Sequence, residues 1–130
     1  MKNLRVLIAD DHETVRKGLC AILTSRDDIE VCAEACNGEE AVRLVRESKP
    51  DIVLMDFTMP VMDGLEASQQ ILRTFPELPI LMLSTHRLDT LANAARDIGL
   101  RGYITKNESA SSLLKAVDKA MRKDPFFVFA

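Results

Sequence analysis

No apolar run in this chain approaches the roughly 20 residues that a bilayer-crossing helix needs, which excludes a spanning role on sequence grounds. The opening Met1-Lys2-Asn3-Leu4-Arg5 lacks the apolar stretch of a signal peptide, so the cytoplasm is the expected location. Basic residues are not in excess. Seventeen Lys and Arg stand against 20 Asp and Glu, a net charge of −3. Binding to a nucleic-acid backbone or an anionic membrane surface needs a basic patch, so neither is expected as the main partner. The three cysteines, Cys20, Cys32 and Cys36, show no CxxC spacing and have no histidine nearby to complete a zinc site. They read as small buried hydrophobic residues.

The chain has 130 residues, of which 47% are hydrophobic and 28% charged, enough for one sizeable core and not for two. Two kinds of segment alternate along it. Short runs rich in Val, Ile, Leu and Met predict strands over Leu4–Ala9, Ile29–Glu34, Asp51–Met55, Pro79–Leu83 and Gly102–Ile104. Between them, apolar residues recur three and four apart, the helical period. Val15, Leu19, Ile22 and Leu23 mark the first helix, Ala41, Val42 and Val45 the second. Leu65, Ala67, Ile71 and Leu72 mark the third, Leu91, Ala94, Ala95 and Ile98 the fourth, and Leu113, Leu114, Val117 and Met121 the fifth. Asn37-Gly38 sits in the turn before the second helix, Gly99 can cap the fourth, and Glu108-Ser109 offers caps for the fifth.

Strand–helix units in alternation imply a parallel sheet covered on both faces, because right-handed crossovers deposit the helices there. The first, third and fourth strands are continuously apolar, as central strands should be. The second, with Glu30, Cys32 and Glu34, suits an edge. The expected fold is a flavodoxin-like, doubly wound α/β domain with a five-stranded parallel sheet in the order 2-1-3-4-5. Ligands of such sheets bind beyond the carboxyl ends of the strands, at the switch point between the first and third.

The first strand ends at Asp10-Asp11 and the third at Asp56, so three carboxylates converge there. Packed carboxylates repel one another unless something positive joins them, and Mg2+ suits an oxygen-only set of this kind. The fourth strand delivers the Ser84 hydroxyl to the same rim and the fifth the Lys106 ammonium. Each residue alone has an ordinary explanation: an acidic pair caps a helix, and an Asp forms a turn. Their conjunction at four strand ends supplies what phosphoryl transfer asks for, which is positioning and neutralisation of charge.

These residues resemble the receiver domains of two-component response regulators over nearly the whole chain. Val6-Leu7-Ile8-Ala9-Asp10-Asp11-His12 is similar to the family's acidic-pair opening. Asp51-Ile52-Val53-Leu54-Met55-Asp56-Phe57-Thr58-Met59-Pro60-Val61-Met62-Asp63-Gly64 resembles its phosphoacceptor segment. Leu81-Met82-Leu83-Ser84-Thr85 and Gly102-Tyr103-Ile104-Thr105-Lys106 resemble the switch-hydroxyl and the aromatic–lysine segments. The wording is similar to the LuxR/NarL (FixJ) branch.

The resemblance implies that Asp56 accepts a phosphoryl group from a histidine of a sensor kinase. It implies Mg2+ on Asp11, Asp56 and the backbone carbonyl of Thr58, with Asp10 acting mainly through a metal-bound water. Lys106 would pair with Asp56 and then with a phosphoryl oxygen, Ser84 would swing in to the phosphate, and Tyr103 would turn inward behind it. Asn107 follows Lys106 where many members have proline, so a trans bond is expected there. His12 reads as a surface residue at a helix start, and His86 as a loop residue at a position that tunes phosphate loss in the family.

The expected organisation is a receiver domain over 1–122 with a linker or tail over 123–130, whose apolar Phe126–Phe129 is strange as a solvated end. The expected role is a signalling switch, not an enzyme beyond its own phosphorylation and dephosphorylation. It would act on a DNA-binding output domain, a helix-turn-helix lying C-terminal to these residues, and form a homodimer on phosphorylation. A stand-alone receiver or phosphorelay intermediate is the alternative. An aspartyl phosphatase would want an acid two residues after its nucleophile, where Thr58 stands. A flavin or dinucleotide binder would want a glycine-rich loop where Asp10-Asp11-His12 stands.

Overall fold

In the computed structural model, which describes residues 3–129, strands and helices alternate from end to end. Met1, Lys2 and Ala130, the outer residues of the expected domain and tail, lie outside the described residues. The order is β1 (Leu4–Ala9), α1 (Glu13–Thr24), β2 (Ile29–Ala35), α2 (Gly38–Ser48), β3 (Ile52–Asp56) and α3 (Gly64–Thr74). Then come β4 (Ile80–Ser84), α4 (Asp89–Ile98), β5 (Gly102–Thr105), α5 (Ala110–Met121) and β6 (Phe127–Phe129). All strand pairs are parallel, in the order β2-β1-β3-β4-β5-β6. The expected order 2-1-3-4-5 is therefore found, with β2 at an edge and a sixth strand added beyond β5.

The period of two along each inner strand explains why the sheet carries helices on both faces. Leu7, Ala9, Val53, Met55, Ile80, Met82 and Tyr103 point to one side, where they meet Ala41 and Val45 of α2, Ala67 and Ile71 of α3, and Leu91 and Ala95 of α4. Val6, Ile8, Ile52, Leu54, Leu81, Leu83 and Ile104 point to the other, against Leu19 and Leu23 of α1 and Leu113, Val117 and Ala120 of α5. Every residue of β3, β4 and β5 is buried. The helix boundaries follow local chemistry. Asn37 and Asp63 cap α2 and α3 by accepting from Glu40 N–H and Glu66 N–H, and Ser109 caps α5 by accepting from Ser112 N–H. Gly99, at φ 102°, ends α4 in the left-handed region that glycine enters without strain.

One expectation needs revision. The cysteines are not all interior: Cys36 is exposed and Cys20 and Cys32 are half-buried. Cys36 lies just past the end of edge strand β2, where the chain has already left the core. The apolar tail that was strange as a solvated end packs on the domain. Phe127–Phe129 runs alongside β5 as β6, with Phe127 paired to Gly102 and Val128 to Tyr103. A side-chain carbon on Gly102 would lie 2.6 Å from the Phe127 ring, so the missing side chain admits the aromatic. Lys119 Nζ sits 4.8 Å from the centroid of that ring, a cation–π contact. No described helix is long and apolar enough to cross a membrane.

Candidate functional site

The carboxyl ends of β1 and β3 lie side by side, with Ala9 paired to Met55. This register brings Asp10, the residue after β1, next to Asp56, the last residue of β3. Both side chains are buried, and both face Lys106, the residue after β5. Lys106 Nζ is 2.8 Å from Asp10 Oδ2 and 3.0 Å from Asp56 Oδ2. The sequence reading paired Lys106 with Asp56; the structure adds Asp10. The two oxygens share this one ammonium, and no other described group bonds to them. Asp10 Oδ1 accepts from His12 N–H at 2.8 Å, which fixes the carboxylate across the start of α1.

The electrostatics are unbalanced towards the negative. Burial, joined by the neighbouring Asp10, lifts the Asp56 carboxyl above its ordinary pKa, and Lys106 and the backbone N–H of Thr58 offset this only in part. Burial alone would lower Lys106, but Asp10 and Asp56 outweigh it and hold the ammonium above its ordinary value. Ligand atoms of Asp10, Asp11, His12 and Asp56 all lie within 4.8 Å of one another. Two buried carboxylates sharing one ammonium, an exposed third carboxylate and the resulting surplus of negative charge fit a hard divalent cation.

Ser84, the last residue of β4, reaches the same rim, with its hydroxyl engaged by a backbone carbonyl. It donates to the carbonyl of His86 at 2.9 Å. Tyr103 on β5 is fully buried, and its hydroxyl donates to that same carbonyl at 2.7 Å. The ring that was expected to turn inward is thus inside already. Thr58 faces the Asp56 carboxylate with its backbone N–H, which helps to lower that group's pKa. The Lys106–Asn107 peptide is trans.

Three features of the site were not read from the sequence. Gly64 opens α3 so close to the Asp56 carbonyl that any side chain would collide with that oxygen, and its N–H donates to Phe57 O at 2.8 Å. The Asp63-Gly64 pair held the signal, an Asp cap followed by a residue without a side chain. Gly38 similarly abuts the carbonyl of Met62, tying α2 to the loop after β3. The carbonyl of His86 left no mark in the sequence, because every residue has one.

Comparison with known proteins bears on all of this. The model of the response regulator receiver domain matches residues 6–118. The response regulator protein VraR of Staphylococcus aureus is 41% identical over 124 residues, which are 95% of this chain and 59% of that protein. The chain thus spans about three-fifths of the length of the curated relatives it matches. Among solved structures, a two-component response regulator of the LuxR family from Aurantimonas sp. SI85-9A1 superposes with a TM-score of 0.91 at 34% identity, covering 96% of this chain and 89% of that one. CheY in the CheX–CheY–BeF3–Mg complex of Borrelia burgdorferi gives 0.85 at 30% identity, covering 89% and 87%. With the expected sheet order and with relatives of the LuxR type, the chain belongs to the response regulator receiver domain family, as a receiver of the LuxR/NarL type.

Proposed function

We propose that Asp56 takes a phosphoryl group from a phosphohistidine of a sensor kinase and that the domain is switched by it. The observation that carries this reading is the Lys106 ammonium held between Asp10 and Asp56 at 2.8 and 3.0 Å. One Asp56 carboxylate oxygen attacks the phosphorus, the P–O bond forms as the P–N bond breaks, and the imidazole of the donor leaves with its proton. Lys106 is already beside the oxygen that reacts or its twin, so it meets the incoming phosphoryl charge without rearrangement. Asp10, Asp11, Asp56 and the backbone carbonyl of Thr58 would hold Mg2+, with Asp10 mainly through a water. When bound, the ion supplies neutralisation of the phosphoryl oxygens. The name of the Borrelia complex, which joins CheY with Mg and a beryllofluoride, supports Mg2+ as the ion.

Phosphate adds close to two negative charges to a cluster that is already acidic. Ser84 then exchanges the His86 carbonyl for a phosphoryl oxygen, and the loop before α4 loses one of its two side-chain ties to the rim. The surface of α4, β5 and α5 carries the result to an output domain, a helix-turn-helix beyond these residues, and to a homodimer. VraR, of which these residues match three-fifths, supports a longer protein of that kind. The packing of β6 on β5 is what either output asks of this tail, a linker seated on the receiver or an end tucked against its own body.

Mass spectrometry after exposure to a small phosphodonor and Mg2+ tests the central step. One phosphoryl adduct is expected on the natural chain and none on Asp56→Asn; undiminished uptake in the variant would reject the assignment. Reading the gene past Ala130 distinguishes the two outputs.

A further inference from the structure

The residue after the acidic pair is not needed for the fold in the way its position suggests. His12 is the N-cap of α1, yet its side chain makes no capping hydrogen bond. Its imidazole is 66% exposed and free to turn. Despite that freedom, Nδ1 stands 3.1 Å from Asp11 Oδ1 and 3.5 Å from Asp10 Oδ1. A ring nitrogen of His12 also lies within 4.8 Å of a carboxylate oxygen of Asp56.

These separations are those of neighbouring ligands on one small cation. Ligands at about 2.1 Å from an octahedral ion sit about 3.0 Å apart along an edge. A nitrogen and an oxygen 3.1 Å apart therefore need almost no movement to share an ion. The second observation is independent of the histidine: the buried Asp10 and Asp56 carboxylates share a single counter-charge, Lys106 Nζ at 2.8 and 3.0 Å, which leaves the cluster short of positive charge. Carboxylates alone favour Mg2+, Ca2+ and Mn2+, whereas an imidazole shifts preference towards the later first-row ions.

We infer that His12 contributes Nδ1 as an additional ligand at the acidic cluster, making this a site for late first-row divalent ions as well as Mg2+. The inference rests on the reading of that cluster as the cation site. His12 adds a neutral, borderline-soft donor to a hard anionic set. Mg2+ gains little from such a donor, because it holds its waters and prefers oxygen. Ni2+ and Co2+ gain a ligand they favour. The chain's response to metal would then depend on which ion is available, through a residue outside the acidic triad.

Calorimetric titration of the full chain with MgCl2 and with NiCl2, on the natural protein, His12→Ala and Asp11→Asn, separates the inference from its premise. His12→Ala removes no capping bond, so the fold is expected to persist. It should leave the Mg2+ dissociation constant within about twofold and weaken Ni2+ by about tenfold or more. Pulsed EPR of the Mn2+-loaded natural protein should show nitrogen modulation from a bound imidazole, absent in His12→Ala. Equal Ni2+ affinity in the natural protein and His12→Ala, or no nitrogen modulation in the natural protein, would overturn the role of His12 while leaving the Mg2+ reading intact. Undiminished Mg2+ binding in Asp11→Asn would instead remove the premise. Ni2+ binding that survives Asp11→Asn at full strength would place that ion elsewhere, on the cysteines for example, and also overturn the inference.

Discussion

Ser84 and Tyr103 donate hydrogen bonds to one and the same acceptor, the carbonyl oxygen of His86, at 2.9 and 2.7 Å. A carbonyl has two lone pairs and can serve both donors at once. The arrangement joins the rim beside Asp56 to the buried ring on β5 through a single backbone atom. Leu88 N–H adds a longer contact to the Tyr103 hydroxyl at 3.4 Å.

From this follows a difference between two conservative variants. Tyr103→Phe removes the donor that remains after Ser84 turns away, and should cost about 1 kcal/mol in the resting protein. Its larger effect should appear with beryllofluoride and Mg2+, when the His86 carbonyl loses both partners. Hydrogen exchange at residues 86–88 reports it: faster exchange on activation is expected in Tyr103→Phe than in the natural chain. Equal exchange in the two activated proteins would sever the proposed link.

Asp56→Asn should stabilise the unphosphorylated fold, in a pH-dependent way. The Asp56 carboxyl is raised in the folded protein, first by burial and against the pull of Lys106. The fold therefore holds that proton more tightly than the unfolded chain does. Below the ordinary Asp value of about 3.9 both states are protonated and Asp56 contributes no difference. As pH rises above it, the unfolded chain ionises first and stability falls, until the folded carboxyl has ionised too. The advantage of Asp56→Asn should thus be absent in acid, grow through that window and then stay level. Urea unfolding at a series of pH values measures it, and Mg2+ should shrink it.

Lys106→Ala leaves two buried carboxylates without their shared cation. Breaking a buried pair in this way costs about 3 kcal/mol or more. Added Mg2+ should recover part of the loss, since a cation in the acidic cluster offsets the same repulsion. The double variant Lys106→Ala with Asp10→Asn should be more stable than Lys106→Ala alone. Thermal melts with and without Mg2+ decide the matter, and an unchanged melting temperature in Lys106→Ala would show that the ammonium stabilises nothing.

Gly64→Ala tests how tightly α3 seats Asp56. The added carbon collides with the Asp56 carbonyl, a backbone atom that cannot turn aside. Overpacking of this kind costs about 1–3 kcal/mol. Phosphorylation by a small donor should slow markedly, because the β3 end must shift. A natural rate in Gly64→Ala would show that the contact yields without displacing Asp56.

Much of the site was legible in the residues because it obeys a positional rule. Parallel strands all deliver their carboxyl ends to one rim, so Asp10, Asp11, Asp56, Ser84 and Lys106 could be placed together from strand patterns alone. The period of two, the caps at Ser109 and Gly99 and the mixed character of β2 are likewise local properties, carried by neighbours in sequence. What the sequence could not show depends on direction or on distant partners. Ser84 was placed on the rim, but the hydrogen bond its hydroxyl makes depends on where the chain puts the His86 carbonyl. Lys106 was paired with Asp56, while its closer contact with Asp10 follows from the β1–β3 register. Phe126–Phe129 was visible as an unexpected apolar end, yet β6 exists because Gly102 leaves room for the Phe127 ring some 25 residues away. His12 read as a surface residue, and it is one; only the turn from β1 into α1 sets its nitrogen 3.1 Å from Asp11. Residue types and their spacing determined the fold and the chemistry available, because burial and backbone period act along the chain. The tertiary structure decided which atoms face each other, because side-chain direction is set by packing between elements that the chain brings together only on folding.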